Sequence, residues 1–405
     1  MKKFSLLGIC LATGMTLSAQ ADLVKDVDHA LKESKPNYEA IANQIKPALT
    51  DPSTMNLPQP WYLAGKANFG LYDDLYIQEQ LGNALDTDKK KKAGQAIIDG
   101  YGCYFTAIPL DQQPDAKGKV KPKYTKEMIK TLKNNYAQLK NAGVFLFEAQ
   151  DFKGAYDAWE IYVKLPDNEL LGKDKFDGDP DTIVGNMMYY QLLSALSADM
   201  NAEALAKVEQ IEKTGYRNID VYVYGIEAAR RLEDTTAMMA LAHKGYDLYG
   251  TQNIQFIGQL INEKLDQNDF AGCQSLCEQA IASTDDVAVK AQLYDILGIV
   301  YEQQDQNDKA IECFDKAIEL SPEQGKNYYD KGRIIYNKAV QLEETLDASQ
   351  IDAQVNPLLL QAAELFEKAY GLDEVNMTKV PNLLYRVYYR LGKGYEDKAE
   401  YWQNM

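Results

Sequence analysis

The stretch whose reading decides the fold is residues 291–324, AQLYDILGIVYEQQDQNDKAIECFDKAIELSPEQ. Leu297, Gly298 and Tyr301 share one face of a first helix, and Ala310, Phe314 and Ala317 recur at spacings of four and three along a second. Apolar residues at those spacings line one side of an α-helix. Gly298 and Ala310 are small enough to let two helices approach, and Tyr301 and Phe314 fill the gap that remains. Asn307 and Asp308 offer side-chain oxygens to cap the second helix, and Pro322 stops it. One helix pair of this kind cannot bury both its faces, so neighbours must stack on it.

With Ala291 as position 1, Tyr294 falls at 4, Leu297 at 7, Gly298 at 8, Tyr301 at 11, Ala310 at 20, Phe314 at 24, Ala317 at 27 and Pro322 at 32. The stretch resembles the tetratricopeptide repeat at all of that family's signature positions, with Tyr294 in place of the usual tryptophan. The resemblance implies an all-α fold: a helix-hairpin solenoid wound as a right-handed superhelix, of about eight helix pairs. Weaker copies extend it. Residues 136–169 place Gly143, Ala155 and Trp159 at positions 8, 20 and 24. Residues from 325 place Tyr328 and Gly332 at 4 and 8, and Ala362, Phe366 and Ala369 keep the second-helix spacing after a longer gap. That gap predicts two helices extended through Val340 to Asn356.

Cys273, Cys277 and Ala280 match positions 20, 24 and 27, after a turn, Asp266 to Asp269, that repeats the Asp305 to Asp308 tetrapeptide. Residues 181–250 read as two more pairs: Ile183–Ala198 with Ala202–Lys213, and Ile219–Leu232 with Thr235–Tyr249. Trp61, Gly65, Tyr104 and Ala107 mark an early pair with an insertion around Leu71 to Lys92. Residues 22–50 read as a cap pair, and 378–405 as a last pair turning at Leu391-Gly392. Pro109 to Lys123 and Asp167 to Asp181 are the main interruptions. The expected organisation is a signal peptide at 1–21, N-terminal helical repeats at 22–175, central repeats at 176–324, and C-terminal repeats with extended helices at 325–405.

The opening segment reads as an export signal. Lys2 and Lys3 precede an apolar run from Phe4 to Leu17, too short to span a bilayer comfortably. Ala19-Gln20-Ala21 allows cleavage after Ala21 or after Ala19. Losing the two lysines takes the formal charge from −17 to −19. So acidic a chain repels phosphate backbones, which argues against nucleic acid, and no later stretch predicts stable membrane insertion. The expected location is periplasmic or secreted. Cys273 and Cys277, four apart on a helix, lie too far apart for a disulfide and read as small core residues.

Catalytic chemistry finds little material. The only histidines are His29 and His243, and no phosphate-binding loop, nucleophile elbow or zinc-protease motif occurs. Asp177, Asp179 and Asp181 alternate as calcium-binding aspartates do, but the rest of that loop pattern is absent. An acidic loop whose Asp181 caps the following helix is the expected reading, with no metal and no cofactor. Lys89 to Lys92 reads as a solvated helix start. Lys140 stands where the family's carboxylate-binding domains carry lysine, but Val144 replaces the asparagine that completes the clamp.

The expected function is therefore an exported scaffold that binds a protein or peptide partner, not an enzyme. The alternative is an envelope module binding a solute or glycan, since the 28 tyrosines could stack on sugars. The resemblance places the inner surface at positions 2, 5, 9 and 12 of each first helix. That assigns Lys326, Tyr329, Arg333 and Tyr336 in one repeat, and Lys379, Asn382, Arg386 and Tyr389 in the last. They form a basic and aromatic strip, rich in residue types common at binding hot spots.

Overall fold

A computed structural model describes residues 20–405. The expected signal segment lies, except for its last two residues, outside the described residues. The chain divides into two compact units, one through Thr235 and one from Thr236. The division falls inside the segment that the sequence groups as 176–324.

The first unit opens with α1, described over 20–30, and α2 (Tyr38–Thr50), then α3 (Pro58–Gln80) and α4 (Thr87–Asp111). There follow α5 (Thr125–Asn134), α6 (Gln138–Glu148), α7 (Phe152–Lys164), α8 (Asp181–Ser197), α9 (Asn201–Lys213) and α10 (Ile219–Arg231). The second unit holds α11 (Thr235–Tyr249, its first residue at the division), α12 (Ile254–Asp266), α13 (Phe270–Ser283), α14 (Val287–Gln303), α15 (Asn307–Leu320), α16 (Gly325–Glu343), α17 (Ala348–Gln354), α18 (Asn356–Leu372), α19 (Val380–Leu391) and α20 (Glu396–Gln403). No strand occurs among the described residues. The fold is all-α, built of tetratricopeptide-type helix hairpins.

The turns that lead into five of the helices share one geometry. Gln150, Asp199, Glu233, Asn268 and Asp305 all take positive φ, between 56° and 59°, two residues before the next helix. After each, the following N–H donates back to a carbonyl five residues earlier. Asp151 reaches Leu146 at 2.8 Å, Asp269 reaches Lys264 at 2.7 Å and Gln306 reaches Tyr301 at 2.9 Å. This bond closes the helix end by satisfying a carbonyl that the helix leaves free. Asn268 and Asp305 therefore correspond, as do Cys273 and Ala310. The two identical tetrapeptides sit two residues out of step. Asn307 and Asp308 do not cap α15: the residue before it is Gln306, with no side-chain cap bond. Elsewhere an aspartate does cap the second helix, with Asp151 accepting from Gly154 N–H at 3.1 Å and Asp269 from Gly272 N–H at 2.9 Å.

The register rests on a glycine facing an aromatic ring. A Cβ at Gly143 would lie 2.2 Å from Trp159, and one at Gly298 would lie 2.7 Å from Phe314. Gly65 meets Tyr104 and Gly332 meets Phe366 in the same way. All four rings are fully buried, so the first helix must come close enough that no side chain fits between. Ala310, also fully buried, makes the matching close approach from the second helix. Ala310→Leu should therefore lower stability by ~1–3 kcal/mol through overpacking. A thermal melt with an unchanged midpoint would show the site to be open.

Two insertions behave differently from expectation. The residues around Leu71 to Lys92 mostly lengthen α3 and α4. The first helix of the next repeat lengthens to match: α5 precedes α6 along the same hairpin, with Tyr124 stacked on Tyr62 at 4.3 Å and Tyr72 donating to Gln138 Oε1 at 2.9 Å. The loop between α4 and α5 is pinned by Asp111. Its carboxylate accepts from Lys123, Tyr124 and Thr125 N–H at 3.1, 2.7 and 2.7 Å and from Thr125 Oγ1 at 2.8 Å. The stretch from Val340 to Asn356 does not extend two helices throughout. α16 stops at Glu343, and a separate short helix, α17, starts from a capping box at Asp347. Pro357 then sits in the first turn of α18, where its missing N–H costs no helix hydrogen bond.

Candidate functional site

The strip expected from the sequence lies on α16 and α19, both first helices of their pairs. Inner-face positions of successive repeats meet in pairs 31 residues apart. Lys326 binds Asp295 of α14, and also Asp330 at 2.7 Å. Arg333 grips Glu302 of α14, with Nη2 donating to Oε2 at 2.6 Å, and lies 3.6 Å from Asp330. In the first unit Tyr189 donates to Asp220, also 31 residues on, at 3.4 Å. Position 5 of one repeat thus meets position 2 of the next, and position 12 meets position 9. In the second unit these contacts join an acid to a base.

The two basic residues that α16 contributes to the strip are therefore engaged by the chain's own carboxylates. Tyr336 is buried, 9% exposed, within the core shared by α16, α18 and α19. Tyr329 is half-buried, its ring 6.0 Å from that of Phe366. On α19 the setting is different. Arg386 is exposed and takes part in no ion pair among the described residues, and Tyr389 is 70% exposed beside Tyr385, ring to ring 5.8 Å. Lys379, just before the helix, and Asn382 on it are exposed. A cleft of about 490 Å³ is lined by Tyr385, Tyr388, Tyr389, Lys393 and Glu400 among others, so that of the expected strip Tyr389 lines it.

The polar residues under α16 are strained electrostatically. Asp295 is 7% exposed, and one of its oxygens, Oδ1, is buried with no hydrogen-bond donor. Burial pushes its carboxyl pKa up, Lys326 opposes this, and Asp330 adds to it. The acids Asp295 and Glu302 were not singled out as part of the site. The constant 31-residue offset is a signal that could have found them.

The acidic loop is tied up in the first unit. Asp179 accepts from Lys140 at 2.6 Å and from Tyr162 Oη at 2.5 Å, and the Lys140 bond followed by the Tyr162 bond holds its carboxyl below the usual range. Asp181 is the first residue of α8 and does not cap it, because Pro180 occupies the cap position. No group of three or more His, Cys, Asp or Glu side chains that could hold a metal occurs among the described residues. Cys103, Cys273, Cys277 and Cys313 are all buried thiols. Lys90, Lys91 and Lys92 begin α4 and pair with Glu148, Asp151 and Glu39. His243 is hydrogen-bonded to Glu263 at 2.9 Å. A feature that sequence reading left out is an aromatic cluster on α8, α10 and the loop before α10, where Tyr189 lies 5.7, 6.2 and 6.3 Å from the rings of Tyr190, Tyr216 and Tyr224.

Comparison with known proteins agrees on the repeat. Residues 296–324 match the sequence profile of the tetratricopeptide repeat. No curated protein sequence matches the chain. Among solved structures the chain is similar to YrrB, described as a TPR protein with an unusual peptide-binding site, at 18% identity over 49% of this chain and 93% of that one, TM-score 0.36. It is similar to the C-terminal part of a TPR repeat-containing protein from Cytophaga hutchinsonii at 15% identity, over 65% and 92% of the two chains, TM-score 0.43. MamA of Desulfovibrio magneticus is similar at 19% identity over 49% and 98%, TM-score 0.36.

Proposed function

We propose that the protein is an exported scaffold that captures a protein partner on the exposed strip of α19, with Arg386 and Tyr389 as its anchors. The observation that carries this reading is the contrast between the two helices of the expected strip. α16 spends its cations on Asp295, Asp330 and Glu302, whereas α19 presents an unpaired guanidinium next to a largely exposed tyrosine. Arginine and tyrosine at a surface can bury much area and donate hydrogen bonds, as interface anchors do. A positive group on a chain of net charge −17 favours an acidic segment of the partner. No helix among the described residues is long and apolar enough to cross a membrane.

Export rests on the leader-like opening of the sequence, and intact mass of the exported protein tests it. A chain beginning at or near Asp22 supports it; one retaining Met1 refutes it. A photocrosslinking residue at position 389 tests the capture surface in the native cell. Arg386→Glu should abolish a discrete crosslinked adduct while shifting stability by less than ~0.5 kcal/mol, the usual range for an exposed site. Arg333→Glu should instead lower stability by ~1–3 kcal/mol, because it removes charge-assisted bonds and sets an acid beside Glu302 and Asp330. An adduct undiminished by Arg386→Glu moves the partner surface off α19. The alternative function, a glycan- or solute-binding module, draws support from the tyrosine cluster on α8 and α10. Calorimetric titration with soluble glycans separates the two readings.

A further inference from the structure

The charged cluster between α14 and α16 does not balance. Three carboxylates, Asp295, Asp330 and Glu302, face one ammonium, Lys326, and one guanidinium, Arg333. Arg333 is committed to Glu302 in a forked pair. Arg333 also lies 3.6 Å from Asp330 without a hydrogen bond to it, so Asp295 and Asp330 both depend on Lys326 for a charged donor, and their side chains are only 10% and 8% exposed. Asp295 also keeps a buried oxygen, Oδ1, that no donor reaches. A buried anion with an unsatisfied oxygen is costly, and a proton is the simplest group that removes the cost. The neighbouring elements α13 and α15 give Asp295 no hydrogen bond or ion pair among the described residues. Lys326, half exposed at 53%, leaves solvent close to the cluster.

We propose that Asp295, Lys326 and Asp330 form a proton-operated latch that tightens the junction of α14 and α16 as pH falls from neutral to mildly acid. In the ionised state two carboxylates compete for one ammonium. When Asp295 takes a proton from solvent, Lys326 pairs with Asp330 alone, Arg333 keeps Glu302, and the charges match one to one. The sign follows from linkage. The Asp295 pKa in the folded chain is raised from 3.8 to about 6. Folding then binds a proton that the unfolded chain lacks. Stability is gained as pH falls through about 6, and the gain is complete below the unfolded value of about 3.8.

Hydrogen exchange read by mass spectrometry on the full chain tests this, corrected for the intrinsic pH dependence of exchange. Peptides covering 291–303 and 325–343 should be about tenfold better protected near pH 5 than near pH 7.5, relative to α6 as an internal reference. Asp295→Asn cannot ionise and should show no such response. Asp330→Asn, which gives Lys326 to Asp295 alone, should also shrink it, so a misfolded Asp295→Asn chain still leaves a test. A wild-type chain with no response overturns the latch. So does an undiminished response in either folded variant.

Discussion

Trp159→Ala is expected to cost ~3–5 kcal/mol, the range for truncating a large buried aromatic side chain. Trp159 is 1% exposed. Its ring fills the space that Gly143 leaves open, and its Nε1 donates to the Lys140 carbonyl at 3.2 Å. Removing it creates a cavity and takes away one of the donors to that carbonyl. It also strips support from α6 and α8 together, because Tyr190 of α8 lies 5.6 Å from the indole. Repeat arrays are held by contacts between neighbours, so the loss should spread along the first unit. Denaturant titration with a probe in each unit checks this. The expected result is an early transition in the first unit; a midpoint near the wild type would mean that α6 and α7 collapse onto the vacated space.

Lys207→Ala should be comparably damaging. Lys207 is 2% exposed, on α9, and its ammonium sits 2.7 Å from Glu160 of α7. Gln191 of α8 donates to the same carboxylate at 2.8 Å, so three helices meet at one anion. Breaking a buried pair by removing one member costs ~3–5 kcal/mol, because the other charge is left uncompensated. Glu160 retains Lys164 at 2.6 Å and is 23% exposed, which places the expected loss at the lower end of that range. The pH dependence has a definite sign. Burial raises the Glu160 pKa, but bonds from Lys164, Lys207 and Gln191 outweigh it and bring it from 4.5 to about 2. Its contribution is therefore fully present above pH 4.5 and lost as pH falls through 2. Melts between those limits should show wild type losing stability faster than Lys207→Ala. Parallel curves would mean that Lys164 alone holds the carboxylate.

The Glu160 effect acts in a different pH window from the Asp295 latch. The latch gains stability as pH falls through about 6, whereas the Glu160 pair keeps its full contribution until pH 4.5. A protein carrying both should be most stable at mildly acid pH.

Much of this was legible in the chain. The spacing of Leu297, Gly298, Tyr301, Ala310, Phe314 and Ala317 determined a hairpin, and the same spacing found Gly65, Gly143 and Gly332 against their rings. Residue size and helical period are properties of short stretches, so a reader of one repeat can recover them. The tertiary structure alone decided the electrostatics. Within their own helix Lys326 and Arg333 have only Asp330 to share, and their further partners, Asp295 and Glu302, come from α14, 31 residues earlier on the facing surface. The same holds for Tyr336, whose burial depends on α18 and α19 closing over it. The break at Glu343, the separate α17 and the placing of α5 ahead of α6 were likewise settled by which hairpin each segment had to cover. Long polar side chains reach across helices, and a helix ends where its neighbour no longer buries it. Both depend on distances between segments far apart in the chain, which local pattern does not contain.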